Sequence, residues 1–509
     1  MNPRLQLIVK NTGFLYIRLL FVMVVSLYIS RVLLQMLGVD DFGVYSVVGS
    51  ITGMFASIKS VFAEATQRYL NNAKGKDDDA LVQRIFSTSI ILHIVVGIVF
   101  VLVVLVVGEI LLDNTLKIPE GRENAAHYAF YFSVLSIFII ILTIPYDAVI
   151  MANEKINVYS VVSILDSLLK LIIVLVIPFL GVDNLIMYTI LLCGVSLFTL
   201  VVYYIYTRRF KECKVVWVLD KNLIKDLGVF SFWNFIGNFV FSIVHEAYNM
   251  LLNVFGGVAS NAARSIAYQV RSAVGSFTNN ALVAVKPFVM QETASNEKER
   301  IFNYILRISS FTYYMSLLVS IPIIFCASDL LQVWLGTVPD GAVVFTQLVV
   351  LALLIRSLHG PLSLMFVSFA RIKYATIGEA ALYALSVLVV YIMLKVGLPL
   401  WSMFAFLCLV EFLCIIVLTI IAKHDLGYDY ISYSKLLVKL AILTVVSALI
   451  SYCGTIFIIK YIQISALVVR LLSGLLVVAI SVIIVIYLFM TKTEKELVNN
   501  LLKKVVRRK

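Results

Sequence analysis

Fourteen long apolar segments dominate this sequence and fix the environment in which it folds. Of its 509 residues, 61% are hydrophobic and 14% are charged, whereas soluble domains are about half apolar and a quarter charged. Each segment reaches the ~20 residues that a helix needs to cross ~30 Å of hydrocarbon, and the ~10-residue alternating strands of a membrane barrel are absent. The sequence predicts an all-α integral membrane protein with 14 transmembrane helices, at residues 14–36, 42–63, 85–112, 125–150, 156–180, 184–206, 226–254, 258–285, 305–328, 342–369, 374–397, 399–422, 435–458 and 464–490.

The distribution of lysine and arginine predicts the orientation of these spans. With the N-terminus inside, 27 basic residues fall in cytoplasmic segments, and four fall on the opposite side: Lys117, Arg122, Lys395 and Lys460. The positive-inside rule then places both termini in the cytoplasm. Because this asymmetry accounts for most of the net charge of +12, we expect no nucleic-acid partner.

The order of spans and connections predicts two related halves. A basic, polar connection at residues 207–226 separates them, so we expect an N-terminal lobe at 1–212 (spans 1–6), a C-terminal lobe at 213–430 (spans 7–12), and spans 13–14 with a basic cytoplasmic tail at 431–509. "LGVDDFGVYSVVGSI" joins spans 1 and 2, and "FGGVASNAARSIAYQ" joins spans 7 and 8. Both place a Gly-Val turn before a helix rich in small residues. This pattern favours pseudo-repeated lobes around a central cavity, a common transporter plan. A helix kink is expected at Gly360–Pro361.

Spans 7 and 8 each carry a polar face at helical spacing. Two consecutive spans cannot both present such a face to lipid, so we expect them to line a wet interior. The predicted cavity-lining polar residues are Asn234, Asn238, His245, Glu246, Asn249 and Tyr268.

Basic residues inside the spans indicate the charge of the solute. An arginine near the middle of a bilayer costs about 3 kcal/mol on insertion scales, and guanidinium groups bind phosphate through two parallel hydrogen bonds. A cavity with excess arginine therefore favours a phosphorylated or acidic solute. The predicted anion-binding residues are Arg271, Arg356, Arg18, Lys59, Arg264 and Arg31, of which Arg271 and Arg356 are the deepest and have no acidic residue three or four positions away.

Acidic residues in the spans predict two ion pairs and possible coupling sites. Asp166 and Lys170 are four residues apart, so they can pair on one helix face. Glu246 and Arg264 are predicted to form a direct ion pair near the outer side. Glu411 and Asp166 are candidate proton or cation sites for coupling, and a purely structural pairing is open for each of them.

Enzyme motifs are poorly represented in this chain. "HEAYN" at 245–249 lacks the second histidine of a zinc-protease motif, and no phosphate-binding P-loop occurs. The six cysteines are scattered without zinc spacing. We therefore expect no catalytic residue, metal or cofactor. A membrane glycan polymerase or ligase is disfavoured, because such enzymes usually need a large outer loop.

Three stretches resemble a known family: "NTGFLYIRLLFVMVVSLYISRVLLQMLGVDDFGVYSVVG", "EATQRYLN" and "NAARSIAYQVRSAVGSFTNNALVAVKP". They are similar to the polysaccharide-exporter branch of the multidrug/oligosaccharidyl-lipid/polysaccharide (MOP) superfamily, and most of all to Wzx-type O-antigen and capsule flippases. The resemblance covers nearly the whole chain and fits fourteen spans in two six-helix lobes plus a helix pair.

The resemblance implies a function, a location and partners. Such proteins move an undecaprenyl-pyrophosphate-linked oligosaccharide from the inner to the outer leaflet of the bacterial cytoplasmic membrane. They use alternating access and work beside polymerases and other glycan-assembly proteins in a setting of membrane lipid. Related lipid II flippases hold the pyrophosphate with basic residues on spans 1, 2 and 8, which here are Arg18, Arg31, Lys59, Arg264 and Arg271. The alternative is a cation-coupled drug or metabolite exporter of the same fold, which would favour acidic cavity residues.

Overall fold

The structure is a computed structural model. It describes residues 3–53, 66–67, 69–70, 73, 78–153, 155–210, 213, 221–293, 298–369, 371–457, 466–492 and 494–496; within helices, the side chains of 3–17, 156, 221–241, 277–281, 283–288 and 290–293 are not described. Regular structure in these residues is helical throughout. Eleven helical stretches among them are long and apolar enough to cross a membrane. This confirms an all-α, multi-pass membrane protein, and the count of fourteen spans stays a prediction.

Thirteen α-helices follow one another in the described residues, and every predicted span overlaps one of them. The first six are α1 (Pro3–Gly53), α2 (Asp79–Asn114), α3 (Glu123–Ala152), α4 (Ile156–Val176, followed by a 3₁₀ turn at Ile177–Phe179), α5 (Asn184–Thr207) and α6 (Lys221–Thr293). The others are α7 (Lys298–Leu335), α8 (Ala342–Arg356), α9 (His359–Ser368), α10 (Ile372–Lys395), α11 (Ser402–Leu426), α12 (Tyr430–Phe457) and α13 (Leu467–Phe489).

Helices α1 and α6 are each two helical arms joined at a glycine. Gly38 has φ 75° and ψ 176°, and Gly257 has φ 71° and ψ −179°. Side chains disfavour this positive φ, so glycine is the residue that allows the break. The two breaks lie at the predicted Gly-Val turns, and predicted spans 1, 2, 7 and 8 fall on the four arms. Nearly identical backbone at both sites supports the internal repeat predicted from the sequence.

The chain forms two compact units, Met1–Ser265 and Ile266–Lys509, and the division falls within the second arm of α6. In the first unit, α3 packs against both α2 and α5. Its interior includes Phe130, Val104 and Ile144, each fully buried. The predicted three-part division at residues 212 and 430 stays a prediction.

The second unit has its own apolar core and a broken span. The rings of Phe302 and Tyr428 meet edge to face at 4.8 Å, in a core shared by α7, α9, α11, α12 and α13. The span at 342–368 is interrupted at Ser357–Leu358, between α8 and α9, just before Gly360–Pro361, and the kink expected there stays a prediction. Pro361 stands in the first turn of α9, where its missing N–H removes no helical hydrogen bond.

Candidate functional site

In the first unit, a glycine brings the second arm of α1 against the second arm of α6. A Cβ on Gly43 would lie 2.1 Å from the carbonyl oxygen of Val258, so a larger residue would force the two arms apart. One turn further, the hydroxyls of Ser46 and Ser265 lie 2.5 Å apart. Small residues therefore set this helix contact, as in other membrane bundles.

Three buried asparagines, Asn249, Asn253 and Asn261, form a hydrogen-bonded group that we name the asparagine cluster. The side-chain amide of Asn261 donates to the Asn249 backbone carbonyl (2.7 Å) and to its Oδ1 (2.8 Å). Asn253 donates to Asn261 Oδ1 at 3.1 Å and accepts from the backbone N–H of Lys117 at 2.6 Å. Asn249 is 2% exposed and the other two are fully buried. In this conformation, part of the predicted cavity-lining face is a buried hydrogen-bond network that joins α6 to the α2–α3 connection.

Arg264 contacts the arm that precedes it through His245. Its guanidinium donates to the His245 carbonyl oxygen at 2.8 Å and lies 3.5 Å from His245 Nδ1. His245 Nδ1 is in turn 3.1 Å from Glu246 Oε1. The predicted direct pair between Glu246 and Arg264 is wrong for these two described side chains, because His245 stands between them. Glu246 instead lies against α1, where a Cβ on Gly53 would be 2.9 Å from its Oε1.

Arg271 has an aromatic neighbour rather than an acidic one. Its guanidinium carbon lies 5.3 Å from the ring centroid of Tyr268, one turn earlier on α6. Among the described residues no carboxylate forms an ion pair with it, and its Nε is buried without a hydrogen-bond acceptor. Both side chains are half-buried. A partly accessible guanidinium that has no counter-ion among the described residues is available to an anion.

Arg18, on the first arm of α1, has a similar environment. It donates to the Tyr159 hydroxyl at 3.2 Å and lies 4.5 Å over the centre of that ring. Arg31 is half-buried on the same arm. Three of the other predicted positions lie outside what is described: Lys59 entirely, and Asn234 and Asn238 for their side chains, although both fall on α6.

Arg356, the other deep arginine, is neutralised within the second unit. It lies 3.0 Å from Glu411 Oε2 and donates to the Tyr383 hydroxyl at 2.5 Å. Glu411 is 2% exposed. The pair joins the end of α8 to α11, with Tyr383 supplied by α10.

A second acid–base contact lies on the neighbouring helices. His359 Nε2 at the start of α9 contacts Glu379 Oε1 on α10. Neither residue was predicted as functional, and no short spacing in the sequence signals their contact. They lie three residues after Arg356 and four before Tyr383 respectively, which places two acid–base pairs on adjoining helices.

Two further ionic groups lie in the first unit. Asp166 and Lys170 pair at 2.7 Å on α4, which confirms the predicted i,i+4 contact. Arg122, just before α3, donates two hydrogen bonds to Asp41 (2.7 and 2.5 Å) and two to Asp183 (2.5 and 3.2 Å). Burial opposes ionisation of Asp183, but hydrogen bonds from Arg122 and from the backbone N–H groups of Ile186 and Leu185 outweigh it and lower the pKa of Asp183. The sequence reasoning missed this carboxylate–guanidinium–carboxylate bridge.

Comparison with known proteins identifies the fold. No protein-family profile and no curated protein matches this sequence. Among solved structures, the chain is similar to the lipid II flippase MurJ in an inward closed conformation, with a TM-score of 0.69, 13% identity, and coverage of 92% of this chain and 97% of MurJ.

Two other solved structures share this fold. An inward-facing multidrug resistance transporter of the MATE family has a TM-score of 0.69 at 15% identity, and the match covers 81% of this chain and 98% of that transporter. A MOP-superfamily transporter from Pyrococcus furiosus has a TM-score of 0.58 at 15% identity, and the match covers 82% of this chain and 96% of that transporter. The structural neighbours are thus MOP-superfamily transporters, and the chain has their fold.

Proposed function

We propose that this protein is a flippase that moves an undecaprenyl-pyrophosphate-linked oligosaccharide, such as an O-antigen, capsule or exopolysaccharide repeat unit. The direction is from the inner to the outer leaflet of a bacterial cytoplasmic membrane. The observation that carries the proposal is Arg271, a guanidinium in a polar helix that contacts a tyrosine ring and, in the described residues, no carboxylate. Such a group binds a pyrophosphate through two parallel hydrogen bonds.

Arg18 supports the same chemistry in the first unit. Its guanidinium also lies over a tyrosine ring, Tyr159, and one of its N–H groups donates to the hydroxyl of that tyrosine. These contacts position the planar group and leave other N–H donors for an anion. Arg264, Arg31 and Lys59 complete the proposed basic set. Arg264 bonds to a backbone carbonyl in this conformation, so its share in head-group binding requires a rearrangement of His245.

The fold supports a transport cycle. MATE-family transporters of this fold occur in inward-facing and outward-facing conformations, and a lipid II flippase shares it. We propose that the chain works by alternating access, with the polyprenyl tail remaining in lipid. Asn234, Asn238, His245, Glu246, Asn249 and Tyr268 are the proposed polar lining.

Arg356 and Glu411 form the proposed coupling pair. Their salt bridge would be broken either by protonation of Glu411 or by an anionic head group that takes over Arg356. Proton binding and substrate binding would thereby act on one guanidinium. Asp166 is a weaker candidate for coupling, because Lys170 already balances its charge on the same helix.

A cation-coupled drug or metabolite exporter is the alternative, and Arg271, which makes no ion pair with a described carboxylate, disfavours it. The discriminating experiment measures binding of undecaprenyl pyrophosphate and of a cationic dye, ethidium, to the purified protein and to Arg271→Ala. We expect pyrophosphate binding that weakens at least tenfold in the variant. Tight ethidium binding with no affinity for the pyrophosphate would overturn the proposal.

A further inference from the structure

An apolar groove of about 410 Å³ lies between α2 and α3. It is lined by Ile98, Val101, Leu102, Leu105, Tyr131, Val134, Leu135 and Phe138. Leu102 is 60% exposed and Leu135 is 46% exposed, so the groove opens outward from this helix pair. In a bilayer, an outward-facing apolar groove of this kind is filled by an acyl chain.

Two glycines close the helix pair at either end of the groove. A Cβ on Gly97 would lie 2.8 Å from the ring of Phe138, and a Cβ on Gly108 would lie 2.0 Å from the ring of Phe130. The helices therefore touch at these two levels, and the groove lies between the two levels on the outward side of the pair. The lining residues of α2 run from Ile98 to Leu105, about 10 Å along the axis, which is most of the ~15 Å depth of one leaflet.

A charged group adjoins one end of the groove. Glu109 and His127 lie one turn beyond the nearest lining residues, Leu105 and Tyr131, and Asp113 lies two turns beyond Leu105. His127 Nδ1 is 3.3 Å from Glu109 Oε2, and His127 Nε2 is 3.2 Å from Asp113 Oδ1. The basic-residue asymmetry assigns this end of α2 to the outside, at the level of the lipid head groups.

This group selects a positive ligand. Two carboxylates face one imidazole. With both carboxylates ionised, the net charge of the group is −2 when His127 is neutral and −1 when it is protonated. The Tyr131 hydroxyl donates to the Glu109 carboxylate, and the buried Oε1 of Glu109 has no other donor among the described residues. A primary ammonium offers three N–H donors to such oxygens, whereas a trimethylammonium offers none and an anionic head group is repelled.

We infer that the α2–α3 face binds a phospholipid with a primary-amine head group, such as phosphatidylethanolamine. The ammonium lies between Glu109 and Asp113, and one acyl chain fills the groove. The inference needs both observations. The groove accounts for the bound acyl chain, and the acidic group accounts for the preference for an ammonium head group. This lipid site is separate from the substrate-binding residues proposed above.

A divalent metal ion is the competing ligand for the charged group. One ligand atom from each of Glu109, Asp113 and His127 lies within 4.8 Å of the others. However, the two ring nitrogens face different carboxylates, and an ion takes only one nitrogen. A metal would also leave the adjoining groove without a role, which is why the lipid is favoured.

The test counts lipids retained by the purified full-length protein, by native mass spectrometry, from mixed micelles of phosphatidylethanolamine, phosphatidylcholine or phosphatidylglycerol with the same acyl chains. We expect the ethanolamine lipid to bind at least tenfold more tightly than the other two. Glu109→Gln with Asp113→Asn should remove this preference. Leu102→Trp should fill the groove and weaken all three lipids.

Matched controls are Asp425→Asn, in a His–Asp contact elsewhere, and Leu385→Trp, at another outward-facing leucine; both should bind like the wild type. Equal retention of the three lipids by the wild type, or a preference that survives the double variant, would overturn the inference. A second result would also overturn it: the wild type binds Zn²⁺ stoichiometrically, the double variant does not bind Zn²⁺, and both proteins bind the ethanolamine lipid equally.

Discussion

The guanidinium carbon of Arg271 lies 5.3 Å from the centre of the Tyr268 ring, one helical turn away on α6. A cation over an aromatic face gains about 0.5–2 kcal/mol, much less than a buried ion pair with a carboxylate. The tyrosine orients the guanidinium without cancelling its charge. A charge held in this way remains available to an anionic head group.

Arg271→Ala is therefore expected to abolish surface-glycan export while the protein still inserts and remains at normal abundance. Arg271→Lys should rescue only part of the activity, since lysine keeps the charge but loses the two-pronged geometry. The measurement is glycan export in cells, with membrane abundance followed by immunoblot.

Arg300→Ala is the matched control, because Arg300 also contacts a tyrosine one turn away, Tyr304, but on an exposed surface. It should export normally. Normal export by Arg271→Ala at normal abundance would contradict the pyrophosphate-binding role.

The Arg356–Glu411 pair predicts an asymmetric cost of substitution. Removing one member of a buried ion pair costs about 3–5 kcal/mol, because the other charge is stranded. Arg356→Gln should therefore lower the melting temperature strongly and leave Glu411 isolated. Glu411→Gln should cost more, since the stranded guanidinium of Arg356 cannot lose its proton, whereas a stranded Glu411 can be protonated.

If Glu411 is the coupling site, Glu411→Gln should also remove the pH dependence of transport in proteoliposomes. Asp166→Asn is the comparison, because its pair is on one helix and more exposed. Transport by Glu411→Gln that still responds to a pH gradient like the wild type would exclude this role.

Arg264 and Glu246 are joined through His245, and this predicts how a charge exchange behaves. Arg264 donates to the backbone carbonyl of His245. A glutamate at position 264 has no N–H to donate to that carbonyl. Glu246→Arg with Arg264→Glu should therefore fail to restore the stability lost in Arg264→Ala, as measured by thermal unfolding in detergent. Glu246→Gln alone should be milder than Arg264→Ala. Recovery of wild-type stability by the exchanged protein would instead indicate a direct pair.

Local features of this fold could be predicted from the sequence, and long-range contacts could not. The Gly-Val turns at Gly38 and Gly257 and the Asp166–Lys170 pair each depend on residues within a few positions of one another. Their geometry follows from backbone conformation and helical spacing alone. Periodicity predicts such features directly.

The pairings of the deep charges depend instead on how the helices pack. Arg356 meets Glu411 from 55 positions away, and a helical wheel for either span shows only an isolated charge. The wheel also placed Asn249 on a wet face, yet three asparagines satisfy one another there. Hydrogen-bond partners from other helices can bury a polar face as effectively as water can solvate it.

The Arg122–Asp183 contact predicts acid sensitivity on the side of the protein that the basic-residue count assigns to the outside. The other carboxylate of the bridge, Asp41, does not contribute to it, because burial raises its pKa. The hydrogen bonds from Arg122 hold the pKa of Asp183 below the ordinary value of 3.8, so the folded state binds this proton less readily than the unfolded state does. The resulting stabilisation is fully present above about pH 3.8 and is lost as pH falls through the folded-state pKa.

Asp183→Asn keeps an acceptable helix cap for α5 but removes the charge that Arg122 binds, so it should destabilise the protein at neutral pH and flatten the acid limb of a melting-temperature profile. Asp429→Asn is the control, because Asp429 also caps a helix with a lowered pKa, through Ser432, but is exposed and makes no arginine contact in the described residues. Equal profiles for the two variants would show that the cap and not the arginine bridge accounts for the stabilisation.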